Sequence, residues 1–123
     1  MDARYVFAVR FRLEPNVGDV TVEPSEFETR LYRSADPPGE EGWLFFRDNL
    51  WRGEINDDDH FRRLTEEALG VPVVSVEYRA LETDAEYLDA LEDEIRANLG
   101  TFNATSVSEV TKKYLGSSLE VRK

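Results

Sequence analysis

The sequence predicts an α+β domain, an antiparallel sheet of four to five strands with two or three helices packed on one face. Three observations carry that expectation. Apolar residues alternate with a period of two through the first half of the chain, the signature of half-buried strands. In the second half they recur every three or four residues, between capping residues and glycines, the signature of helices. Strands thus gather ahead of helices instead of alternating with them, which is the α+β order rather than the α/β order. With 123 residues the chain has room for one domain, residues 1–123, and no linker or repeat divides it. A ferredoxin-like arrangement is one topology consistent with this order.

The first strand runs through Tyr5, Phe7, Val9, Phe11 and Leu13, with Arg4, Arg10 and Arg12 on the alternate positions. One face should enter the core and the other should carry arginines. Pro15-Asn16-Val17-Gly18-Asp19 is turn chemistry. A second strand through Val20, Val22, Phe27, Thr29 and Leu31 is interrupted at Pro24, which favours an edge strand or a bulge because proline cannot donate to a ladder. Residues 34–42 lack any periodicity and are expected to form a loop. Trp43-Leu44-Phe45-Phe46-Arg47 is an aromatic run expected as a strand, turning at Asp48-Asn49 into Leu50-Trp51-Arg52 before Gly53.

Helical grammar then takes over. Asn56 or Asp57 should cap a helix that buries Phe61, Leu64, Ala68 and Leu69 and stops at Gly70. Val74, Val76, Tyr78 and Ala80 alternate as a further strand. Thr83 and Glu86 have the spacing of a capping box for a helix burying Leu88, Leu91, Ile95 and Leu99 and ending at Gly100. Ser106 and Glu109 repeat that box ahead of Val107, Val110, Tyr114 and Leu115, with Gly116 as the stop. Leu119-Glu120-Val121 is either a short final strand or a frayed end.

Composition excludes several function classes. The net charge is -11, from 26 acidic against 15 basic residues, which disfavours duplex DNA or an anionic membrane as the main partner. No apolar run approaches the roughly 20 residues of a membrane span, and the first residues open into a strand pattern rather than a leader, so a soluble cytoplasmic protein is expected. The acidity is uneven: the balance is -3 over residues 1–52, -10 over 53–99 and +2 over 100–123. Twelve of the fifteen basic residues are arginine, and cysteine is absent. At molar salt the Debye length falls to about 3 Å, so self-repulsion is screened while surface carboxylates still hold water and cations. Strong acidity, scarce lysine and absent cysteine together point to a high-salt cytosol with hydrated cations held diffusely at the surface; the alternative is an acidic mesophilic protein that happens to prefer arginine.

Specific chemistry is thinly signalled. Asp57-Asp58-Asp59-His60 invites a metal reading, yet acids in a first helical turn are favoured by the helix dipole. Asp58, Arg62 and Glu66, like Asp59, Arg63 and Glu67, also form i,i+4 ladders of alternating sign. No metal site and no cofactor are therefore expected. His60 is the sole histidine, and neither a phosphate-cradling glycine loop nor a nucleophile elbow is present, so no catalytic residue is assigned. The stronger concentration is of arginine and aromatic residues in 1–52, which hold seven arginines and both tryptophans. Two readings stand. The arginines pair across strands with carboxylates such as Glu26 and Glu28 while the aromatics fill the core. Otherwise Arg10, Arg12, Trp43, Arg47, Trp51 and Arg52 form a ligand-binding face for phosphate, nucleotide or single-stranded RNA, by bidentate contacts and stacking.

Leu50-Trp51-Arg52, following an aromatic segment in an acidic, lysine-poor chain of this length, resembles the haloarchaeal family called the LWR-salt proteins. The resemblance implies a haloarchaeal source and a small cytosolic protein, and it supplies no mechanism. On the residues, Leu50 and Trp51 are expected to anchor their strand to the following helix, with Arg52 at the strand end. The leading expectation is a non-enzymatic interaction or regulatory module that forms a homodimer through an exposed sheet face or edge. The alternative is a nucleotide- or RNA-binding domain using the arginine and aromatic face, and a small hydrolase ranks third.

Overall fold

The computed structural model describes residues 1–14 and 18–122; of the turn expected at Pro15-Asn16-Val17-Gly18-Asp19, the first three residues lie outside the described residues and Gly18 and Asp19 are in a turn. Its elements run β1 (Ala3–Arg12), β2 (Glu26–Ser34), α1 (Phe45–Asn49), β3 (Leu50–Trp51), β4 (Glu54–Ile55), α2 (Asp58–Leu69), β5 (Val73–Thr83), α3 (Ala85–Ala97), α4 (Val107–Leu115) and β6 (Leu119–Val121). The class is α+β. Four strands form the main sheet in the order β2-β1-β5-β6, and β3 and β4 form a separate two-stranded hairpin.

β1 pairs antiparallel with both β2 and β5, as its alternation requires, but β6 lies parallel to β5, so the sheet is mixed rather than purely antiparallel. Between them α3 and α4 make the crossover that a parallel pairing needs, and β6 returns beside Leu81–Thr83, the last three residues of β5. β1 and β2 follow one another with no helix between them, unlike the β-α-β-β-α-β order of a ferredoxin-like sheet.

One face of the sheet holds the core. Tyr5, Phe7 and Val9 of β1 and Val73, Val76, Tyr78 and Leu81 of β5 cluster with Tyr87, Leu91 and Ile95 of α3 and with Val110, Tyr114 and Leu115 of α4. α1 and α2 join the same side, Phe45 packing on Tyr5 at 4.6 Å between ring centroids and Phe61 on Phe7 at 4.9 Å.

The expected strand at Trp43–Arg47 is instead a turn through Trp43 and Leu44 that leads into α1 at Phe45. Strand geometry would send Phe45 and Phe46 to opposite faces, exposing one ring. A helical turn brings both inward, Phe45 onto Tyr5 and Phe46 onto Phe102 at 5.8 Å, with Trp43 edge-on to both Phe46 and Phe102. Gly42, at φ 89°, makes the bend that starts it. Among the described residues there are accordingly four helices, where two or three were expected.

Caps follow the sequence with one exception. Asp57 caps α2 by accepting from the His60 N–H, and Gly70 ends it at φ 71°. Ser106 caps α4, while Glu109 reaches back to the Thr105 N–H and hydroxyl. For α3 the cap is Asp84, which accepts from the Tyr87 N–H, and the helix ends at Ala97 ahead of Gly100. Thr83 is the last residue of β5 instead. The stripe expected on α2 is also only partly used: Phe61 and Thr65 face the sheet, while Leu64 and Leu69 are 49% and 38% exposed.

Candidate functional site

Two surface features bring together residues singled out by the sequence. The first is the β3-β4 hairpin, built on Leu50-Trp51-Arg52. Arg52 and Gly53 form its two-residue turn with φ of 52° and 81°, both positive as a type I′ hairpin turn requires. This turn docks on the C-terminal end of α4. The Arg52 N–H donates to the Lys113 carbonyl at 2.8 Å and the Gly53 N–H to the Tyr114 carbonyl at 2.9 Å. Gly116 N–H takes the Lys112 carbonyl, and the Ser118 N–H and hydroxyl both take that of Leu115.

A helix leaves its last four carbonyls without intrahelical partners. In α4 all four are satisfied, two of them by the hairpin turn. Closeness explains both glycines: a Cβ on Gly53 would lie 3.1 Å from the Leu115 carbonyl oxygen, and one on Gly116 would lie 3.1 Å from that of Arg52. Leu50 fixes the hairpin from beneath, fully buried. Trp51 lies edge-on to Tyr114 at 5.9 Å with 44% of its surface exposed, and the Arg52 guanidinium sits 5.7 Å from the Trp51 ring centroid. Leu50 is thus buried as an anchor, but the helix that the hairpin docks on is α4 rather than the following α2 that was expected, and Trp51 is a half-open lid on Tyr114.

The second feature is the other face of the main sheet. Register places Arg4, Val6, Ala8, Arg10 and Arg12 of β1 beside Ser34, Tyr32, Arg30, Glu28 and Glu26 of β2 on that face. Val6, Ala8 and Ala80 are buried there yet stand outside the core cluster, small side chains between longer charged neighbours. Arg4 is committed: its Nε donates to Glu82 at 2.8 Å and its guanidinium lies 4.0 Å over the Tyr32 ring. Arg122 approaches the same Glu82 at 3.5 Å, and these residues line a cleft of about 400 Å³ at the sheet end with Ser34 and Asp84. Arg12 reaches Glu14 and Glu26 only at 3.9 Å. Arg10 and Arg30 are exposed and make no ion pair with a described residue.

The six residues expected to share a ligand face are therefore distributed. Arg10 and Arg12 lie on the open sheet face. Trp43 and Arg47 belong to the opposite, helical layer, where Trp43 is half-buried against Phe102 and Arg47 pairs with its neighbour Asp48 at 3.1 Å. Trp51 and Arg52 form their own pair on the hairpin. Arg30 and Tyr32, which share that face with Arg10, escaped the sequence reading. The signal was present, since Arg30 and Tyr32 alternate with the same period as the β1 arginines, but only the β1-β2 register aligns the two series.

Shifted titrations mark structure rather than an acid-base pair. Burial pushes the Tyr5 and Tyr78 phenols up, the latter against the opposing effect of its 2.7 Å hydrogen bond with Ser118. Burial, with the nearby Asp36 carboxylate second, raises Tyr87 to about 12, and its hydroxyl donates to the Asp36 carbonyl at 2.7 Å, tying the 34–42 loop to α3. The Tyr87 N–H holds the Asp84 carboxyl below its ordinary value. His60 is exposed on the first turn of α2, and among the described residues no three ligand-type side chains are grouped so as to hold a metal. No helix is long and apolar enough to cross a membrane among the described residues.

A family model described as LWR-salt protein matches residues 1–123. No curated protein and no solved structure matches the chain.

Proposed function

The chain belongs to the LWR-salt family, and from that premise we propose that it is a non-enzymatic interaction module of a high-salt cytoplasm that associates with a second copy of itself through its sheet. The observation that carries this reading is the one-sided layering of the sheet: helices cover the Tyr5, Phe7 and Val9 face, while the face of Arg10, Arg30 and Tyr32 is uncovered. Charge distribution adds to it. The net -11 sits mainly on residues 53–99, and molar salt screens the repulsion between two such molecules to about 3 Å. The test is light scattering coupled to size exclusion in molar KCl, with circular dichroism on dialysis to dilute buffer. The reading expects an assembly of twice the 14.2 kDa chain mass and loss of secondary structure as salt is removed. A monomer at every concentration, or folding indifferent to salt, overturns the corresponding half.

A second reading has an observation of its own. Arg10 and Arg30, without carboxylate partners among the described residues, share a face with Tyr32, which is 49% exposed. Guanidinium groups beside a half-exposed ring, which also stacks on Arg4, suit phosphate contact and base stacking. Saturable binding of a labelled oligouridylate, abolished by Arg10→Glu with Arg30→Glu in a folded protein, would establish a nucleotide- or RNA-binding domain in place of self-association.

A further inference from the structure

We infer that two copies pair edge to edge through β2, antiparallel about a two-fold axis at Thr29, to make one continuous eight-stranded sheet from the two four-stranded ones. This rests on the self-association proposed above and names the surface that performs it. β2 is an edge strand of nine residues. Of the devices that blunt an edge it carries only charge, at Glu26, Glu28, Arg30 and Arg33: Glu26–Ser34 contains no proline and no lysine, and its pairing with β1 has no bulge, although β1 with β5 has two irregularities. Most of its side chains are exposed.

The outward hydrogen-bonding groups can be assigned. Leu13 N–H donates to the Ser25 carbonyl at one end of the β1-β2 ladder and Ala35 N–H to the Ala3 carbonyl at the other. Hydrogen-bonded and non-hydrogen-bonded pairs alternate in an antiparallel ladder. Odd-numbered residues of β2 therefore direct their N–H and C=O to β1, and Glu26, Glu28, Arg30 and Tyr32 direct theirs to the open edge.

Charge then selects the register. Keeping both uncovered faces on one side requires a two-fold axis at a residue, not between residues. An axis at Glu28 opposes two glutamates, and one at Arg30 opposes two arginines. An axis at Leu31 leaves Arg30 facing Tyr32 and Glu28 facing Ser34. At Thr29, Glu28 faces Arg30 twice, Phe27 faces Leu31 twice and Glu26 faces Tyr32, with no like charges opposed. Neither Glu28 nor Arg30 has an ion-pair partner among the described residues. Their complements are supplied by the second copy.

The absence of cysteine makes the register directly testable. Thr29 would face its own copy as a non-hydrogen-bonded pair, with Cα atoms about 4.5 Å apart, within disulfide range. In molar KCl under mild oxidation, Thr29→Cys should cross-link to a covalent dimer in high yield, whereas Tyr32→Cys, which faces Glu26, should stay largely uncross-linked. Arg30→Glu should weaken the dimer roughly tenfold by opposing two glutamates at two places, and adding Glu28→Arg should restore it. A dimer that forms while Thr29→Cys cross-links no better than Tyr32→Cys overturns the β2 register and leaves self-association standing. A wild-type monomer overturns both. Circular dichroism of each variant confirms that a lost dimer is not a lost fold.

Discussion

Substituting Gly53 by alanine probes the contact that gives Leu50-Trp51-Arg52 its place in the fold. Gly53 sits at φ 81°, where an L-residue costs about 1 to 2 kcal/mol. Its new Cβ would stand 3.1 Å from the Leu115 carbonyl oxygen, a backbone atom that cannot swing aside. If the turn backs away, the bonds from Arg52 to Lys113 and from Gly53 to Tyr114 stretch, at about 1 kcal/mol each. The stiffer unfolded chain returns about 0.4 to 1 kcal/mol. The net expectation is a loss of about 2 kcal/mol, a fall in Tm of roughly 8 °C for a domain of this size. Gly116→Ala, at φ 62° with its Cβ 3.1 Å from the Arg52 carbonyl oxygen, should cost about 1 to 3 kcal/mol. Because both substitutions open one interface, the double variant should lose less than the sum, by about 1 kcal/mol. Gly53→Asn should recover part of the loss, since asparagine tolerates the left-handed region while keeping the Cβ contact. The assay is urea unfolding in molar KCl, followed by tryptophan fluorescence and circular dichroism. A Gly53→Ala midpoint within about 0.5 kcal/mol of wild type, or strict additivity of the pair, would refute the docking of the hairpin on α4.

The same hairpin should divide sharply under truncation: Leu50→Ala, at full burial, should cost about 3 kcal/mol, whereas Trp51→Ala, with its ring 44% exposed, should cost about 1. Urea midpoints read both, and equal losses would contradict the burial difference. Thr83→Val should stabilise by about 1 kcal/mol, because the Thr83 hydroxyl is buried without a hydrogen-bond partner among the described residues; a loss in thermal unfolding would show that the hydroxyl is bonded. Asp84 has its carboxyl held below the ordinary aspartate value, chiefly by the Tyr87 N–H, so its charge contributes stability that is present at neutral pH and lost as pH falls through the lowered folded value. Asp84→Asn should therefore be less stable than wild type at pH 6 and converge with it as the pH drops below about 4, by thermal unfolding; a gap that stays constant would mean the cap does not depend on charge.

How far this molecule could be read in advance depends on the range of the interactions involved. Asp57 and Gly70 at the ends of α2, Ser106 and Gly116 at the ends of α4, and the alternation of β1 and β5 were legible, because a cap or a pleat is decided by neighbours within a few residues. β2 begins only at Glu26, beyond Pro24 and without the expected Val20 and Val22, and it takes the edge position, one of the two outcomes that proline suggested. Trp43–Arg47 was misread because aromatic β-propensity competes with packing, and the rings of Phe45 and Phe46 find distant partners in Tyr5 and Phe102. Thr83 and Asp84 are both good capping residues; the length of β5 decided between them.

By itself, then, the sequence determined the class, the acidic and lysine-poor surface, most helix ends and the family, all properties of composition or of short range. Only the tertiary structure decided that β6 runs parallel, that Arg52 and Gly53 cap a helix more than fifty residues away in sequence, and that Arg10 and Arg30 share an uncovered face while Trp43 and Arg47 lie behind it. Each of these depends on strand register and on which elements meet, and a residue's local neighbours carry no record of either.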